Sequence, residues 1–405
     1  MSESGAKEFD VVLYGASGFT GRQTAEYFQK HAPANLRFAI AGRNQAKLEA
    51  VHRELGLPPT VGVIAADITA MVARARIVLT TAGPYTLYGA GIVRACAEAG
   101  VHYVDITGET VFIRDMIDAH EDAARASGAV LLPLCGFDSV PADLGAYLAQ
   151  KALRENHSTG TRRADGYYTL DGGFNGGTFY SAMQMYKTGA YKRMRDPELL
   201  LPPDAQGVAP AGDARFARYA PEVNSWVAPF IMAKINTRVV HRSAALAAAA
   251  GQPYGDRFAY TESMRLGGAW NPVPALAVAA GMQSFEVLGP VAAIRGLLET
   301  FAPAPGEGPS AKTIERGVYQ LEVVAVGENG DRVRVTIADE RDPGNRATVQ
   351  FACESALELA RLASNSPEEL RKRIGGGFRT PATAIGDALV ARLIAGGVRI
   401  ASEGL

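Results

Sequence analysis

The first third of the chain alternates short runs rich in Val, Ile, Leu and Tyr with stretches whose apolar positions recur at helical spacing. This alternation is typical of a parallel sheet covered by helices, and it predicts an α/β domain over residues 1–148. Six strands are expected, at residues 9–14, 37–41, 61–65, 76–81, 102–106 and 130–135. Residues 67–75, between the third and fourth strands, leave room for only one or two helical turns.

The pattern changes after about residue 148. Residues 317–326 and 332–338 alternate apolar with polar positions around Glu328-Asn329-Gly330, and Asn-Gly suits the positive φ angles of a tight hairpin turn. A further strand is expected at 167–170, and the Pro, Ala and Gly content of 202–221 predicts a surface excursion. Two amphipathic helices, at 347–363 and 381–395, are expected to close the chain.

Residues 266–285 contain no charged side chain, so a transmembrane helix has to be considered. Asn271, Pro272, Pro274 and Gln283 interrupt the run, whereas a span needs about 20 predominantly apolar residues. A transmembrane helix is therefore disfavoured. Three alternatives stay open: a buried wall of a lipid-sized pocket, a helix lying at a membrane surface, and ordinary core packing.

The composition excludes several classes of function. In the 405-residue chain, 41 basic residues nearly balance 42 acidic ones, so we expect no nucleic-acid partner. Three cysteines and six histidines lack the spacings of a disulfide framework or a metal site, so we expect no metal. The polar residues 1–9 contain no apolar signal segment, which favours a cytoplasmic protein, with peripheral membrane contact left open.

A glycine-rich turn follows the first expected strand and opens a helix; it reads Gly15-Ala16-Ser17-Gly18-Phe19-Thr20-Gly21. Glycine at position 15 permits a tight strand-to-helix turn, Gly18 lets the backbone approach a pyrophosphate, and Gly21 allows close packing of helix on strand. The N–H groups at the start of the helix would then face the phosphates. We therefore expect a dinucleotide site here.

The end of the second strand discriminates between the two nicotinamide dinucleotides. The sequence there is Ala41-Gly42-Arg43-Asn44, with Lys47 one turn further on, and no carboxylate occupies the discriminating position. Arg43 and Lys47 can pair with a 2′-phosphate, so NADP(H) is expected over NAD(H). The alternative is that both are merely solvated basic residues at the start of a helix.

Two further strand ends are candidate cofactor contacts. Asp67 follows the third strand and could lie by the adenine, although a helix N-cap explains it equally well. Thr81-Ala82-Gly83-Pro84-Tyr85 follows the fourth strand, where small residues would leave room for the nicotinamide half and Tyr85 would be one of its nearest hydroxyls. A plain turn is the competing interpretation of that segment.

Several stretches together resemble the saccharopine dehydrogenase-like oxidoreductases, and more closely their trans-acting enoyl reductase branch. Besides the glycine-rich turn and Ala41-Gly42-Arg43, they are Gly83-Pro84-Tyr85, Tyr103-Val104-Asp105 with Gly108-Glu109, Asn236-Thr237-Arg238 and, most specifically, the run from Gly136 to Gly145. The resemblance covers nearly the whole chain.

This resemblance implies an NADP(H)-binding Rossmann domain, a second α/β domain with a mixed sheet at residues 149–345, and C-terminal helices at 346–405 that return to the first domain. It also implies reduction of a carbon–carbon double bond in a hydrophobic acyl, polyketide or lipid-like substrate. Gly108 and Phe137 lie in its motifs and join the expected cofactor contacts.

Enoyl reduction needs donors that stabilise charge on the conjugated carbonyl and a proton for the α-carbon. We expect Tyr85, Ser139 and Asp138 to be the catalytic residues. Asp138 and Asp143 would serve equally well as caps of the following helix. The glycine-rich residues 172–177 are expected either to form a second nest of N–H groups or to be a flexible turn.

Other functions stay open at this point. Tyr147 and Lys151 have the spacing of the short-chain dehydrogenase pair, but they are more simply neighbours on one helix. Reduction of an imine or carbonyl would need cations for substrate carboxylates, and Arg238 and Arg242 are the inviting pair. A scaffold that binds NADPH without turnover is a third alternative. A homodimer through the edge of the predicted hairpin is also considered.

Overall fold

The computed structural model describes residues 7–172, 176–292, 295 and 310–405. They form two compact units. Unit 1 comprises the described residues up to Thr107, together with Phe112–Gly136 and Asn345–Leu389. Unit 2 comprises Gly108–Val111, the described residues from Phe137 to Gly344, and Val390–Leu405. The domain limits expected at residues 148 and 345 stay a prediction.

Unit 1 is built on a parallel sheet. Its strands are β1 (Phe9–Tyr14), β2 (Phe38–Ala41), β3 (Gly62–Ile64), β4 (Ala75–Thr80), β5 (His102–Asp105), β6 (Val130–Leu132) and β13 (Gly377–Phe378). Their order is β13-β6-β5-β4-β1-β2-β3, and every neighbouring pair is parallel. All six expected strands are confirmed. β13 was missed because its two residues are too short to show a pattern.

Helices cover this sheet. They are α1 (Phe19–His31), α2 (Gln45–Glu54), α3 (Ile68–Arg74), α4 (Tyr85–Tyr88), α5 (Ala90–Ala99), most of α6 (Thr110–Ser127), α12 (Thr348–Asn365), α13 (Pro367–Arg373) and most of α14 (Pro381–Ala395). The short α3 confirms the one or two turns expected there. The return of the C-terminal helices is also confirmed: on α12, Glu354 accepts a 2.6 Å hydrogen bond from the Tyr27 hydroxyl of α1.

Unit 2 contains a mixed sheet. Its strands are β7 (Thr161–Asp171), β8 (Arg218–Ala220), β9 (Ser225–Pro229), β10 (Ala259–Leu266), β11 (Val318–Gly327), β12 (Arg332–Asp339) and β14 (Arg399–Gly404). The order is β14-β12-β11-β7-β10-β9-β8, with β7 and β10 parallel and the other pairs antiparallel. Its helices are α7 (Val140–His157), α8 (Gly176–Thr188), α9 (Ala233–Ala249), α10 (Val273–Leu288) and α11 (Ala311–Glu315).

The predicted hairpin is confirmed as β11 and β12, but its edges are not free. β11 pairs with β7 on its other side, and β12 pairs with β14. The sequence-based reason for a homodimer was therefore wrong, because the chain's own C-terminal strand occupies the hairpin edge. The expected excursion at 202–221 is largely irregular and ends in the edge strand β8.

The uncharged stretch at 266–285 forms the end of β10 and most of α10. No helix within the described part of the chain is long and apolar enough to cross a membrane. Ordinary core packing does not describe α10 either, because Ala275 and Ala279 are its only buried residues. Most of the helix is partly or fully exposed.

His102 is a buried part of the unit 1 sheet. Its Nδ1 accepts a 3.0 Å hydrogen bond from the N–H of Val130 at the start of β6. Burial, assisted by the nearby Arg76 guanidinium, lowers the pKa of His102 to about 4. The imidazole is therefore neutral at pH 7, and it joins β5 to β6 as a hydrogen-bond acceptor.

We expect the free energy of unfolding to fall as the pH drops below about 6.5 toward 4, because the unfolded chain takes up a proton on His102 before the folded chain does. Between pH 7 and pH 5 this residue should account for about 2 kcal/mol. Urea unfolding of a His102→Gln variant at both values should show a smaller pH dependence than the wild type. The exposed His31→Gln is the control. Identical slopes for His102→Gln and the wild type would contradict the assignment.

Candidate functional site

The turn between β1 and α1 depends on the absence of side chains. Gly15 adopts a φ of +91°, and its N–H donates a 2.9 Å hydrogen bond to the carbonyl of Ala41 at the end of β2. A Cβ on Gly21 would lie 2.1 Å from the Gly15 carbonyl oxygen, so only glycine lets α1 approach the turn this closely. Gly18 is the N-cap of α1, and no side chain caps it.

Ser17 and Gly18 are exposed, and the first turn of α1 contains no acidic residue. The N–H groups at the start of an α-helix lack partners within the helix, and the helix dipole makes this end positive. The turn at residues 15–21 can therefore hold an anionic group such as a pyrophosphate, which is the fit that the sequence pattern predicts.

Two cations stand at the start of α2. Arg43 and Lys47 are both exposed, and among the described residues no carboxylate pairs with either. The Arg43 guanidinium lies 5.2 Å from the ring centroid of Tyr88, a contact that the sequence did not reveal. Both cations are thus available to a phosphate.

Two of the expected cofactor contacts are helix caps. The Asn44 side chain accepts a 3.0 Å hydrogen bond from the N–H of Lys47 and begins α2. The Asp67 side chain accepts one of 3.0 Å from the N–H of Ala70 and begins α3. For Asp67 the N-cap alternative is therefore confirmed. A contact of either residue with a cofactor stays a prediction.

Tyr85 connects the ends of two strands. Its hydroxyl donates a 2.9 Å hydrogen bond to the carbonyl of Thr80, and the N–H of Ile106 donates to the same hydroxyl at 3.4 Å. The side chain is only 4% exposed. With its proton directed at a backbone carbonyl, Tyr85 is poorly suited to protonate a substrate in this conformation.

The residues between β4 and Tyr85 are held by hydrogen bonds of their backbone N–H groups. The N–H of Thr81 donates to the carbonyl of Tyr14 at 3.0 Å, and the N–H of Ala82 donates to the Thr80 hydroxyl at 3.2 Å. Gly83 is exposed and Pro84 is buried. The small residues Thr81, Ala82 and Gly83 therefore lie beside the glycine-rich turn at the carboxyl ends of β1 and β4, as the sequence predicts.

Asp105, which lies in one of the motifs of the family resemblance, is a structural carboxylate. It is fully buried and accepts hydrogen bonds from the hydroxyl of Tyr103 at 2.7 Å, and from the N–H groups of Thr107 and Leu134 at 3.0 and 2.8 Å. Leu134 has a φ of +63°, unusual for a residue with a side chain. Asp105 thus fixes the segments that follow β5 and β6.

Unit 2 brings together other candidates. Ser139 is the N-cap of α7, fully buried, and its hydroxyl has no hydrogen-bond partner among the described residues. Asp138 is partly buried, and burial raises its pKa to about 6. A Cβ on Gly108 would lie 3.6 Å from the Asp138 carboxylate, so these two residues are neighbours. The prediction that Asp138 or Asp143 caps α7 was wrong, because Ser139 occupies the N-cap position.

Phe137 and Asp143 have packing roles in this unit. The Phe137 ring is 4% exposed and meets the Tyr319 ring edge-on, with centroids 4.7 Å apart. The fully buried Asp143 accepts a hydrogen bond from the Ser243 hydroxyl of α9. Both residues thus contribute to the interior of unit 2, and a cofactor contact of Phe137 stays a prediction.

A buried carboxyl that sequence reasoning missed lies on β10. Glu262 is 1% exposed and accepts hydrogen bonds from the Asn236 amide at 2.9 Å and the Tyr260 hydroxyl at 2.8 Å. Burial raises its pKa to about 8. The only available signal was Asn236, which lies in one of the motifs of the family resemblance.

The pair suggested for binding substrate carboxylates has other partners. Arg238 is 1% exposed; it forms an ion pair with Asp213 and donates to the carbonyl of Met194 at 2.8 Å. Arg242 is buried and donates to the carbonyl of Leu200 at 2.8 Å. The sequence-based suggestion was wrong, because both guanidiniums hold backbone segments of unit 2.

Two other sequence features can be compared with the structure. Tyr147 and Lys151 lie one turn apart on α7, as expected of helix neighbours. Residues 173–175 of the glycine-rich segment lie outside the described residues, and α8 begins at Gly176. A Cβ on Gly172 would lie 2.7 Å from Pro343, so protein, not ligand, accounts for that glycine. No cluster of metal-ligating side chains occurs in the described part of the chain.

Comparisons with known proteins agree with this geometry. Residues 11–132 match the family model of the saccharopine dehydrogenase NADP binding domain. A trans-acting enoyl reductase from Mycobacterium tuberculosis is 39% identical over 427 residues, covering 97% of each chain. One from Mycobacterium leprae is 36% identical, covering 98% of this chain and 99% of its own.

The chain belongs to the trans-acting enoyl reductase family. Its unit 1 contains the NADP-binding domain, which supports the cofactor that Arg43 and Lys47 predicted. Among solved structures, saccharopine dehydrogenase (L-Glu forming) from Saccharomyces cerevisiae matches with a TM-score of 0.55 and 12% identity, covering 98% of this chain and 99% of that one. At this identity the similarity shows the fold alone, and it confirms the expected fold class.

For this member of the enoyl reductase family, we expect Arg43→Glu to weaken NADPH binding by about tenfold or more, because a carboxylate would replace a cation that can pair with the 2′-phosphate. The affinity for NADH, which lacks this phosphate, should change by less than about threefold. Titration calorimetry with both nucleotides measures the difference. Arg53→Glu, an exposed change near the other end of α2, is the matched control. Equal losses for both nucleotides would contradict the assignment.

Proposed function

We propose that this protein is an NADPH-dependent reductase of a carbon–carbon double bond in a hydrophobic acyl, polyketide or lipid-like substrate. The observation that carries the proposal is the near full-length similarity to proteins named trans-acting enoyl reductases. The choice of cofactor is supported by the match of residues 11–132 to an NADP-binding domain. It is also supported by Arg43 and Lys47 at the start of α2, with which no carboxylate of the described residues pairs.

In this proposal the cofactor is held by residues of unit 1. The turn at residues 15–21 binds the pyrophosphate, Arg43 and Lys47 bind the 2′-phosphate, and the small residues after β4 make room for the nicotinamide half. When bound, NADPH supplies the hydride. Gly108 and Phe137 are also proposed as cofactor contacts, because both lie in motifs of the family resemblance.

Asp138 is our choice for the residue that holds the proton for the α-carbon. Its pKa of about 6 leaves a fraction of the carboxyl protonated near neutral pH, as a general acid requires. The adjacent Ser139 hydroxyl has no partner among the described residues and can donate to a substrate oxygen. Tyr85 is the weakest of the three proposed catalytic residues, because its hydroxyl is bonded to Thr80.

An imine or carbonyl oxidoreductase is the second candidate. An amino-acid substrate would require cations free to hold carboxylates, whereas Arg238 and Arg242 are bonded within unit 2. This weighs against amino-acid substrates but not against neutral carbonyl compounds. A scaffold that binds NADPH without turnover differs from both reductases because it would not oxidise NADPH with any acceptor. Peripheral membrane contact and a homodimer are separate predictions that do not depend on this proposed function.

The proposal predicts loss of NADPH absorbance when the purified chain is mixed with long-chain enoyl thioesters. The rate should fall as the pH rises above about 6, because the protonated form of Asp138 is the active one. Asp138→Asn should lower turnover by about 100-fold and remove this pH dependence, while calorimetry shows unchanged NADPH binding. Tyr147→Phe should leave turnover intact.

The exposed Asp204→Asn is the matched control for Asp138→Asn. An Asp138→Asn enzyme with wild-type turnover would remove Asp138 from the chemistry. Tight NADPH binding without oxidation by enoyl, carbonyl or imine acceptors would favour the scaffold. Oxidation by imine or carbonyl acceptors alone would favour the second candidate.

A further inference from the structure

α10 is apolar on its packed side, and large apolar side chains also lie on the part of the helix that the described residues leave uncovered. The packed face buries Ala275 and Ala279, and Phe285 contacts the Tyr186 ring edge-on, with centroids 5.3 Å apart. Outside this packed face, Leu276 is 53% exposed and Val287, three turns further on, is 73% exposed. A helix of a soluble domain ordinarily presents polar residues to solvent, so this exposed face departs from the usual pattern.

Neighbouring residues extend this face into a larger patch, which we call the α10 surface. Trp270, just before the helix, is 97% exposed. Phe216 is 70% exposed, and it follows Arg215, whose carbonyl accepts a 2.9 Å hydrogen bond from Gln283 of α10. The α10 surface comprises Phe216, Trp270, Val273, Leu276, Val287, Leu288 and Val291.

The concentration of these side chains is unusual. The described residues contain 14 exposed large hydrophobic side chains, and seven of them belong to the α10 surface. Single exposed apolar residues need no explanation, but a contiguous patch indicates an interaction site. Something apolar is therefore expected to cover this surface.

The charges beside the patch are mainly positive. Glu286 is the only charged residue of α10, and it pairs with Lys234 and lies 4.0 Å from Arg195. Arg215 and Arg195 are exposed. The short 3-10 helix at Ala190–Arg195 carries three cations, and the exposed carboxylates of Asp196 and Glu198 follow it. An apolar surface bordered by cations is complementary to an anionic lipid bilayer, which has an apolar interior and negatively charged headgroups.

This charge distribution distinguishes the candidate occupants. A symmetric contact between two copies of the α10 surface would bring the same cations toward one another, which opposes association. An anionic lipid surface would instead attract them, and Trp and Phe side chains favour the boundary between headgroups and acyl chains. Because no described helix can span a bilayer, contact parallel to the membrane plane remains.

We propose that the α10 surface docks on the surface of an anionic lipid bilayer, with α10 lying in the plane of the interface. The inference goes beyond the proposed reductase activity and does not depend on it. It also selects one of the three alternatives that the uncharged sequence at 266–285 left open.

Vesicle co-sedimentation of the full chain tests this proposal. Vesicles of phosphatidylcholine with phosphatidylglycerol should bind the wild-type chain about tenfold more strongly than phosphatidylcholine vesicles, and high salt should remove most of the difference. A variant carrying Leu276→Asp and Val287→Asp should bind at least about tenfold more weakly, because two charges would enter the interface. Arg215→Glu should weaken binding to anionic vesicles only.

The matched control carries Ile394→Asp and Leu405→Asp, two changes at similarly exposed residues outside the α10 surface, and it should bind like the wild type. Circular dichroism and thermal unfolding establish folding without reference to catalysis. Absence of binding to anionic vesicles, or equal binding by the Leu276→Asp and Val287→Asp variant, would overturn the proposal. A dimer in sedimentation that this variant abolishes, without vesicle binding, would assign the surface to a second copy.

Discussion

The first helix lies close to the opening strand only because no side chain stands between them. At Gly21 even a methyl group would overlap the Gly15 carbonyl, and Gly15 itself adopts a backbone conformation that few other residues tolerate. Through its N–H, Gly15 is bonded to the end of β2. This packing directs the start of α1 at the carboxyl edge of the sheet, where an anion can be held.

The charges around that edge follow from the same arrangement. The end of β2 leads directly to Arg43, and Asn44 caps α2 so that Lys47 stands in its first turn. Both cations therefore follow the end of β2, where the carbonyl of Ala41 accepts the hydrogen bond from the N–H of Gly15. Family membership adds the identity of the nucleotide. Because no carboxylate of the described residues pairs with Arg43, its guanidinium would favour a phosphate over a free hydroxyl.

The sequence predicted the parts of the fold that depend on local pattern. The strands of unit 1 were found from their apolar runs, and the hairpin from Asn329-Gly330. Partners distant in sequence could not be predicted in this way. Buried polar groups must be paired, but which atoms pair is decided by tertiary packing, as with Tyr85 and Arg238.

The same limit explains the features that were missed. Glu262 looks like any other acidic residue in sequence, and only the fold places it between an amide and a phenol in the interior. The uncharged stretch around α10 was noticed, but composition cannot tell a buried apolar helix from an exposed one. Exposure is a property of the assembled unit, because the neighbouring elements determine which face they cover.

A crystal structure with NADPH bound would show whether the nucleotide lies in the glycine-rich turn. We expect the adenosine 2′-phosphate within hydrogen-bond distance of the Arg43 guanidinium, while the pyrophosphate contacts the N–H groups at the start of α1. Density that places the 2′-phosphate away from Arg43, with this side chain still stacked on Tyr88 and the nucleotide outside the glycine-rich turn, would contradict it.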